Sequence, residues 1–192
     1  MSASVPFDPS LLDALEASAV ARVEGAVWRQ ILDPTSIMRP NQRGGRWNRP
    51  GTEALYCSLT PETAAAEIDH LVTSQPVPIT RQRRTFDVNV RLSRVIDLRP
   101  EPWAKPFVYP YDPSRIEQCQ AIGAAVAWLE CGGLIVPSQR HEGDNLVIFV
   151  ANLDHDDSLE PAADGHPYPP GPPTDLKRAP LEPVPTPQAP PP

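Results

Sequence analysis

The sequence predicts an α+β fold: a single domain of mixed, mostly antiparallel sheets with flanking helices. Three observations predict it. Two segments open with the Asp-Pro or Thr-Pro pair that starts a helix, and a third long segment is helical in pattern. Between and after them lie alternating or wholly apolar runs of strand length. The two kinds of segment do not follow the regular βαβ order that a parallel sheet needs. The chain of 192 residues is long enough for one domain with a real core.

Each element follows from its own residues. "DPSLLDALEASAV" reads as a short helix with Asp8 as N-cap and Pro9 in the first helical position. "ARVEGAVWRQI" reads as a strand pair, or a strand with a turn at Gly25. "EALYCS" is a strand. "TPETAAAEIDHLV" is a helix with Thr60 as N-cap and Pro61 after it. "RTFDVNVRLSRVIDL" alternates and gives one or two strands. "SRIEQCQAIGAAVAWLE" is a long helix that stops near "CGG". "GLIVPS" and "NLVIFVAN" are apolar strands around the polar loop "QRHEGD".

These elements divide the chain into an N-terminal helical segment (residues 1–20), a domain (21–153) and a tail (154–192). From Glu160 on, the tail carries 13 of the 27 prolines. Proline fixes φ and removes a backbone donor, so the tail is expected to stay outside the packed domain, disordered or in polyproline II form. A chain cut after Asp157 is therefore expected to keep its domain.

The net charge is −7, but residues 151–192 hold 7 acidic and 2 basic side chains, so most of the acidity belongs to the tail. The body is near neutral, which argues against direct nucleic-acid binding. Arg39, Arg43, Arg46 and Arg49 nevertheless fall in a stretch without an acid, a local anion-binding potential. Cys57, Cys119 and Cys131 are odd in number and form no C-x-x-C, so neither a disulfide framework nor a zinc ribbon is indicated. No secretory leader is visible at "MSASVPFDPS", and no apolar run approaches membrane-spanning length. The expectation is a reducing cytoplasm.

Several residues invite a chemical reading beside an ordinary one. On a helix from Pro61, Ala64, Ile68, Leu71 and Val72 form an apolar stripe, with Glu67 at its margin. Glu67 is then either a boundary carboxylate paired with an arginine or a half-buried acid at a pocket edge. Arg46 follows two glycines, where backbone can approach a ligand; it suits a phosphate, or it is a solvated turn arginine. Arg29 follows Trp28 near the end of an apolar run and, taken alone, decorates a strand edge. Tyr56 reads as sheet core or a ligand platform, and Ser138 as a turn residue or a site at a strand end. His70, His141, His155 and His166 are scattered, so no metal site is expected. No Walker loop, G-x-G-x-x-G or G-x-S-x-G is present.

Taken together, "VWR" (27–29), "GGRWNRPG" (44–51), "ALY" (54–56), "TAAAEI" (63–68) and "LIVPSQRHEGDNLVIF" (134–149) resemble the RES domain family, in the right order over about residues 20–150. Arg29 and Arg46 match the family's arginines, Tyr56 its tyrosine, Glu67 its glutamate, Ser138 its serine, and Asn145 a frequent asparagine. Gln30 departs from the aromatic that some relatives carry there, which bears on a stacking role at that position and not on the core set.

The resemblance implies the toxin half of a bacterial toxin–antitoxin pair, a fold similar to ADP-ribosyltransferase toxins, and attack on NAD as substrate without a metal. It implies cleavage of the nicotinamide–ribose bond, as a glycohydrolase or a phosphorylase; a protein ADP-ribosyltransferase and a non-catalytic binding partner are the alternatives. Arg29 and Arg46 would hold the pyrophosphate, and Tyr56 or Trp47 would stack on the nicotinamide. Glu67 would face an oxocarbenium-like transition state, and Ser138 would bond a ribose or the carboxamide. The implied partner is a helix-turn-helix antitoxin, which would supply any DNA contact.

Overall fold

Side chains on the loops start two of the three helices. Asp8 accepts a hydrogen bond from the Ser10 amide at 2.9 Å and begins α1 (Pro9–Ala17). Thr60 accepts from the Thr63 amide at 3.2 Å and begins α2 (Pro61–Thr73). Both satisfy a backbone donor that the first helical turn leaves unpaired. The third helix, α3 (Ile116–Trp128), has no side-chain cap; it is held by burial of Cys119, Ile122, Ala125 and Val126. The computed structural model describes residues 6–18, 20–77, 79–100, 107–161 and 166–167.

Among the described residues, seven strands complete the α+β fold: β1 (Val20–Leu32), β2 (Ala54–Ser58), β3 (Arg83–Asp97), β4 (Gly133–Pro137), β5 (Asp144–Phe149), β6 (Ser158–Pro161) and β7 (His166–Pro167). β1 and β3 are antiparallel along almost their whole length. β2 meets β1 at Trp28 and Ser58 and pairs with β5 along its other edge. β5 pairs with β4, and β4 runs parallel to the end of β3. The strand path β1-β2-β5-β4-β3 therefore returns to β1, so these five strands close a ring.

Closure explains the apolar runs. One core cluster is drawn from all five ring strands and no helix, including Val27, Leu55, Val90, Ile135 and Ile148. The other packs α1 and α3 on the opposite face of the strands, including Leu15, Ile122, Leu134 and Phe149. β4 and β5 send alternate residues into both clusters, so neither strand shows a polar face. In β3 the inward residues Val88, Val90 and Leu92 are followed by Val95, one position out of phase. A bulge in β3 accounts for the shift: Ser93 and Arg94, between Leu92 and Val95, oppose the single residue Arg22 between Val23 and Ala21 of β1.

Two expectations are corrected. The segment around Gly25 neither turns nor splits: Gly25 takes φ +145° inside β1 and pairs with Val90. Long-range pairing with β3 carries the strand through it. The boundary at residue 153 is too early. Ser158–Pro161 pair with Val88–Arg91, and His166–Pro167 with Arg84 and Thr85. Pro161 ends an edge strand, where its missing donor costs nothing. A cut after Asp157 would strip both pairings from β3. The expected disorder from residue 168 onward lies outside the described residues.

Helix α3 is set against the loop that follows β1 by a glycine. A Cβ on Gly123 would fall on the Trp47 carbonyl oxygen. Gly123→Ala is therefore expected to push helix and loop apart and cost roughly 2–3 kcal/mol. In a protein of this size that lowers the melting temperature by about 5–10 °C. An unchanged melting temperature would mean that the loop yields freely.

Candidate functional site

Between α2, the open ends of β1, β2 and β5, and the loop of residues 41–52 lies a cleft of ≈ 470 Å³. That size suits a small-molecule ligand. Its lining includes Arg29, Arg46, Tyr56, Glu67 and Asn145. Six of the seven residues singled out by sequence, Trp47 among them, thus share one cavity. Ser138 joins them through Glu67.

Glu67 lies one helical turn after Thr63, on the face of α2 that meets the sheet. Its Oε1 accepts two hydrogen bonds, from Ser138 Oγ at 2.7 Å and from Asn145 Nδ2 at 2.6 Å. Oε2 has no partner among the described residues. Ser138 Oγ in turn accepts from the Arg140 and His141 amides at 3.0 and 3.2 Å, which turns its proton toward Glu67. A second tie runs parallel to the first. The fully buried Thr63 hydroxyl lies 2.9 Å from His141 Nδ1, which also accepts from the Gly143 amide. One face of α2 is thus fastened at two successive turns to the segment linking β4 and β5.

The apolar stripe of α2 differs from expectation. Ala64 is buried, but Ile68 and Leu71 line the cleft, and Leu71 is 45% exposed. The helix presents the stripe to the cavity and not to the core, so Glu67 shares the cavity wall with it.

The glycine-arginine loop is held from β2. The Tyr56 hydroxyl accepts from the Trp47 amide at 2.9 Å and donates to Asn48 Oδ1 at 2.8 Å. Asn48 is fully buried and donates to the Asn41 and Thr52 carbonyls, which closes the loop on itself. A Cβ on Gly45 would stand 2.6 Å from the Tyr56 hydroxyl, so the second glycine makes room for that anchor. Gln120 of α3 donates to the Gly45 carbonyl at 2.8 Å.

The loop delivers Arg46 to the cleft, where Nη1 donates to the Pro113 carbonyl at 2.7 Å. Arg43 and Arg49 are exposed and lie outside the cleft lining. Arg29 is no edge decoration. Its Nη2 donates to the Arg39 carbonyl at 2.7 Å, and its Nη1 is buried without an acceptor among the described residues. Burial pulls the guanidinium below its usual range. Neither arginine forms an ion pair with Glu67 or with any other described acid.

Trp47 also lines the cleft, but most of its surface is taken up by the protein itself. It is 4% exposed, belongs to the helix-side core and meets Tyr111 edge-on at 6.3 Å. Both aromatics proposed for stacking line the cleft, Tyr56 half-buried and Trp47 buried. Gln30 is 6% exposed and donates through Nε2 to Thr85 Oγ1 at 2.9 Å, an anchored polar side chain where an aromatic was the alternative.

Sequence reasoning missed three contributors. Ser58, 4% exposed, donates to Asn145 Oδ1 at 2.7 Å. Its signal was its place two residues after Tyr56 on the same strand face. Asn48 sat inside the quoted motif but had no assigned role. Arg99 is buried against Asp97, with Nη2 to Oδ2 at 2.6 Å, and also faces Asp144 at 3.5 Å. It pins the end of β3 to the start of β5, beside Asn145. Asp97 and Arg99 are two residues apart in sequence, but nothing there shows that Asp144 joins them.

Comparison with known proteins places this geometry. The family model described as the RES domain matches residues 19–170. A chain from the crystal structure of the M. tuberculosis MbcT–MbcA toxin–antitoxin complex superposes with a TM-score of 0.67 at 19% identity, covering 83% of this chain and 92% of that one. At that identity the likeness shows a shared fold. No curated protein sequence matches the chain.

The Tyr56 anchor has a pH signature. Burial pushes the phenol up to about 12, against about 10 in an unfolded chain. The folded state keeps a proton that the unfolded state loses. This contribution to stability is complete below about pH 10 and is lost as pH rises toward 12. Tyr56→Phe is expected to lower stability at neutral pH by about 1–3 kcal/mol, because Trp47 N–H and Asn48 Oδ1 lose their partner. It should also flatten the fall in melting temperature across that alkaline window. Identical alkaline slopes in both proteins would show that the hydroxyl is not buried.

Proposed function

The chain belongs to the RES domain family, and from that membership and the cleft's arrangement of charge we propose that it is an NAD-consuming toxin of a toxin–antitoxin pair. One observation carries the reading. A carboxylate and two arginines share a cavity, yet the carboxylate is bonded by neutral donors and the arginines by neutral carbonyls. Their charges stay available to a ligand that is anionic at one end and develops a cation at the other. NAD is such a ligand: it has a pyrophosphate and a ribose that becomes cationic as nicotinamide leaves.

Arg29 and Arg46 hold the pyrophosphate by charge-assisted hydrogen bonds. The Tyr56 ring supports the nicotinamide. The C–N glycosidic bond breaks with its electron pair going to the nicotinamide nitrogen, which leaves neutral. The oxocarbenium-like ribose faces Glu67, whose Oε1 is already fixed by Ser138 and Asn145 and whose Oε2 is directed by that bonding. Fixed charge of this kind needs no reorganisation during the reaction. An acceptor oxygen then bonds to the ribose carbon. Water yields ADP-ribose and a proton; phosphate yields the phosphorylated ribose. A protein side chain as acceptor would make the enzyme an ADP-ribosyltransferase. Incubation with NAD, with and without phosphate, followed by identification of the ribose-containing product, decides among them. Intact NAD throughout would overturn the proposal.

The partner in this reading is an antitoxin, in keeping with the complex from which the similar fold comes. A helix-turn-helix antitoxin would supply DNA contact, and the pair would act in the cytoplasm. No helix among the described residues is long and apolar enough to cross a membrane.

Glu67→Gln is expected to keep the fold and lose NAD breakdown. If the charge supplies about 4 kcal/mol, turnover falls about a thousandfold. Nicotinamide release measured beside thermal melting tests this; near-normal turnover in the folded variant would take Glu67 out of the mechanism.

Arg46→Lys keeps the charge but loses the planar fork, of which Nη1 is already committed to Pro113. Losing one charge-assisted bond of roughly 1.5–3 kcal/mol should weaken NAD affinity tenfold or more. Calorimetry in the Glu67→Gln background, with Arg43→Lys and Arg49→Lys as controls, reads it out. Equal small effects at all three positions would reduce Arg46 to part of a diffuse positive surface.

A further inference from the structure

We propose that Ser58 is a positioning residue for Glu67, acting through Asn145, and that Asn145 serves the carboxylate first and a ligand only secondarily. The inference rests on the proposed reaction for its kinetic test and on geometry alone for its structural one.

The polarity of each bond in the chain is forced. An ionised carboxylate only accepts, so Asn145 must turn Nδ2 toward Glu67 Oε1, where it sits at 2.6 Å. Its Oδ1 then points away and can only accept. The group opposite must donate, and it is the Ser58 hydroxyl at 2.7 Å. Without Ser58, nothing among the described residues holds Oδ1. A rotated amide would set Oδ1 against Oε1, two acceptors in contact. Ser58 thus locks the amide in the one orientation that supports Glu67.

The backbone makes the lock rigid. Ser58 and Asn145 are direct cross-strand partners. Ser58 is also where β2 meets β1, opposite Trp28, and Asn145 pairs on its other side with Val136, two residues before Ser138. One row across four strands fixes the serine, the asparagine and the start of the segment carrying the second donor to Glu67. Ser58 and Asn145 both line the cleft, so direct contact between Ser58 and substrate is the competing role.

A double-mutant cycle separates the two. Ser58→Ala should lower kcat about tenfold with KM nearly unchanged, the size of one lost buried hydrogen bond acting on the transition state. In an Asn145→Ala background the same substitution should have no further effect, because its target is gone. A rise in KM, or a full effect of Ser58→Ala in the Asn145→Ala protein, would overturn the relay in favour of substrate contact or independent structure. The geometry is read without substrate by the side-chain amide resonances of Asn145 in nitrogen-proton NMR spectra. Ser58→Ala and Glu67→Gln should each shift them, and an Asn145 amide indifferent to Ser58→Ala overturns the proposal whatever the enzyme consumes. If the amide responds but NAD is never cleaved, the relay stands and the substrate reading falls.

Discussion

Opposite charges in a half-buried cavity attract, and the simplest fate for Glu67 would be an ion pair with a neighbouring arginine. The fold prevents it. Arg29 is tied to the Arg39 carbonyl and Arg46 to the Pro113 carbonyl, while Glu67 takes its bonds from Ser138 and Asn145. Each charge is satisfied by a dipole and none is cancelled. Such an arrangement costs stability, since a guanidinium nitrogen is left buried without an acceptor among the described residues. It is what a ligand with separated charges requires, and the strands and loops around the cleft can be understood as the means of holding it.

The means are mostly glycines and small polar residues. Gly45 admits the Tyr56 hydroxyl, Gly123 admits the Trp47 carbonyl, and Gly143 lies against the Thr63 hydroxyl. At each of these places two segments approach closely, backbone to side chain at Gly45 and Gly143 and backbone to backbone at Gly123. A larger residue would separate them, and with them Arg46 from β2, or Ser138 from α2. Tyr56 works at both levels, its ring at the cleft and its hydroxyl in the loop.

Much of this was legible before any coordinates. The caps at Asp8 and Thr60 are local chemistry, and local chemistry survives into the fold. The α+β class followed from segment order alone. Resemblance to the RES family marked Arg29, Arg46, Tyr56, Glu67, Ser138 and Asn145, which the fold does bring together. What escaped depends on partners far along the chain. Gly25 looked like a turn because its pairing with Val90 is invisible locally. Residues 158–161 looked like tail because prolines follow them, although β3 has a free edge to offer. Trp47 was one of two aromatics offered for stacking, and it does line the cleft; its contact with Tyr111 and its place in the helix-side core were not visible locally. Ser58 was unremarkable until its cross-strand neighbour proved to be Asn145.

Helix geometry alone left Glu67 between two readings, a boundary acid paired with arginine and an acid at a pocket edge. The partners decide it. An arginine at 3 Å would have been the ordinary stabilising contact, and two arginines are within the same cavity to make it. Instead the two bonds converge on one oxygen from a serine and an asparagine that are themselves held, by the Arg140 and His141 amides and by Ser58. Surface acids are not supported to that depth, because a hydrated carboxylate gains little from it. Converging neutral donors with their own fixed partners make sense for a carboxylate whose charge must stay in one place and remain uncancelled until a cation forms beside it.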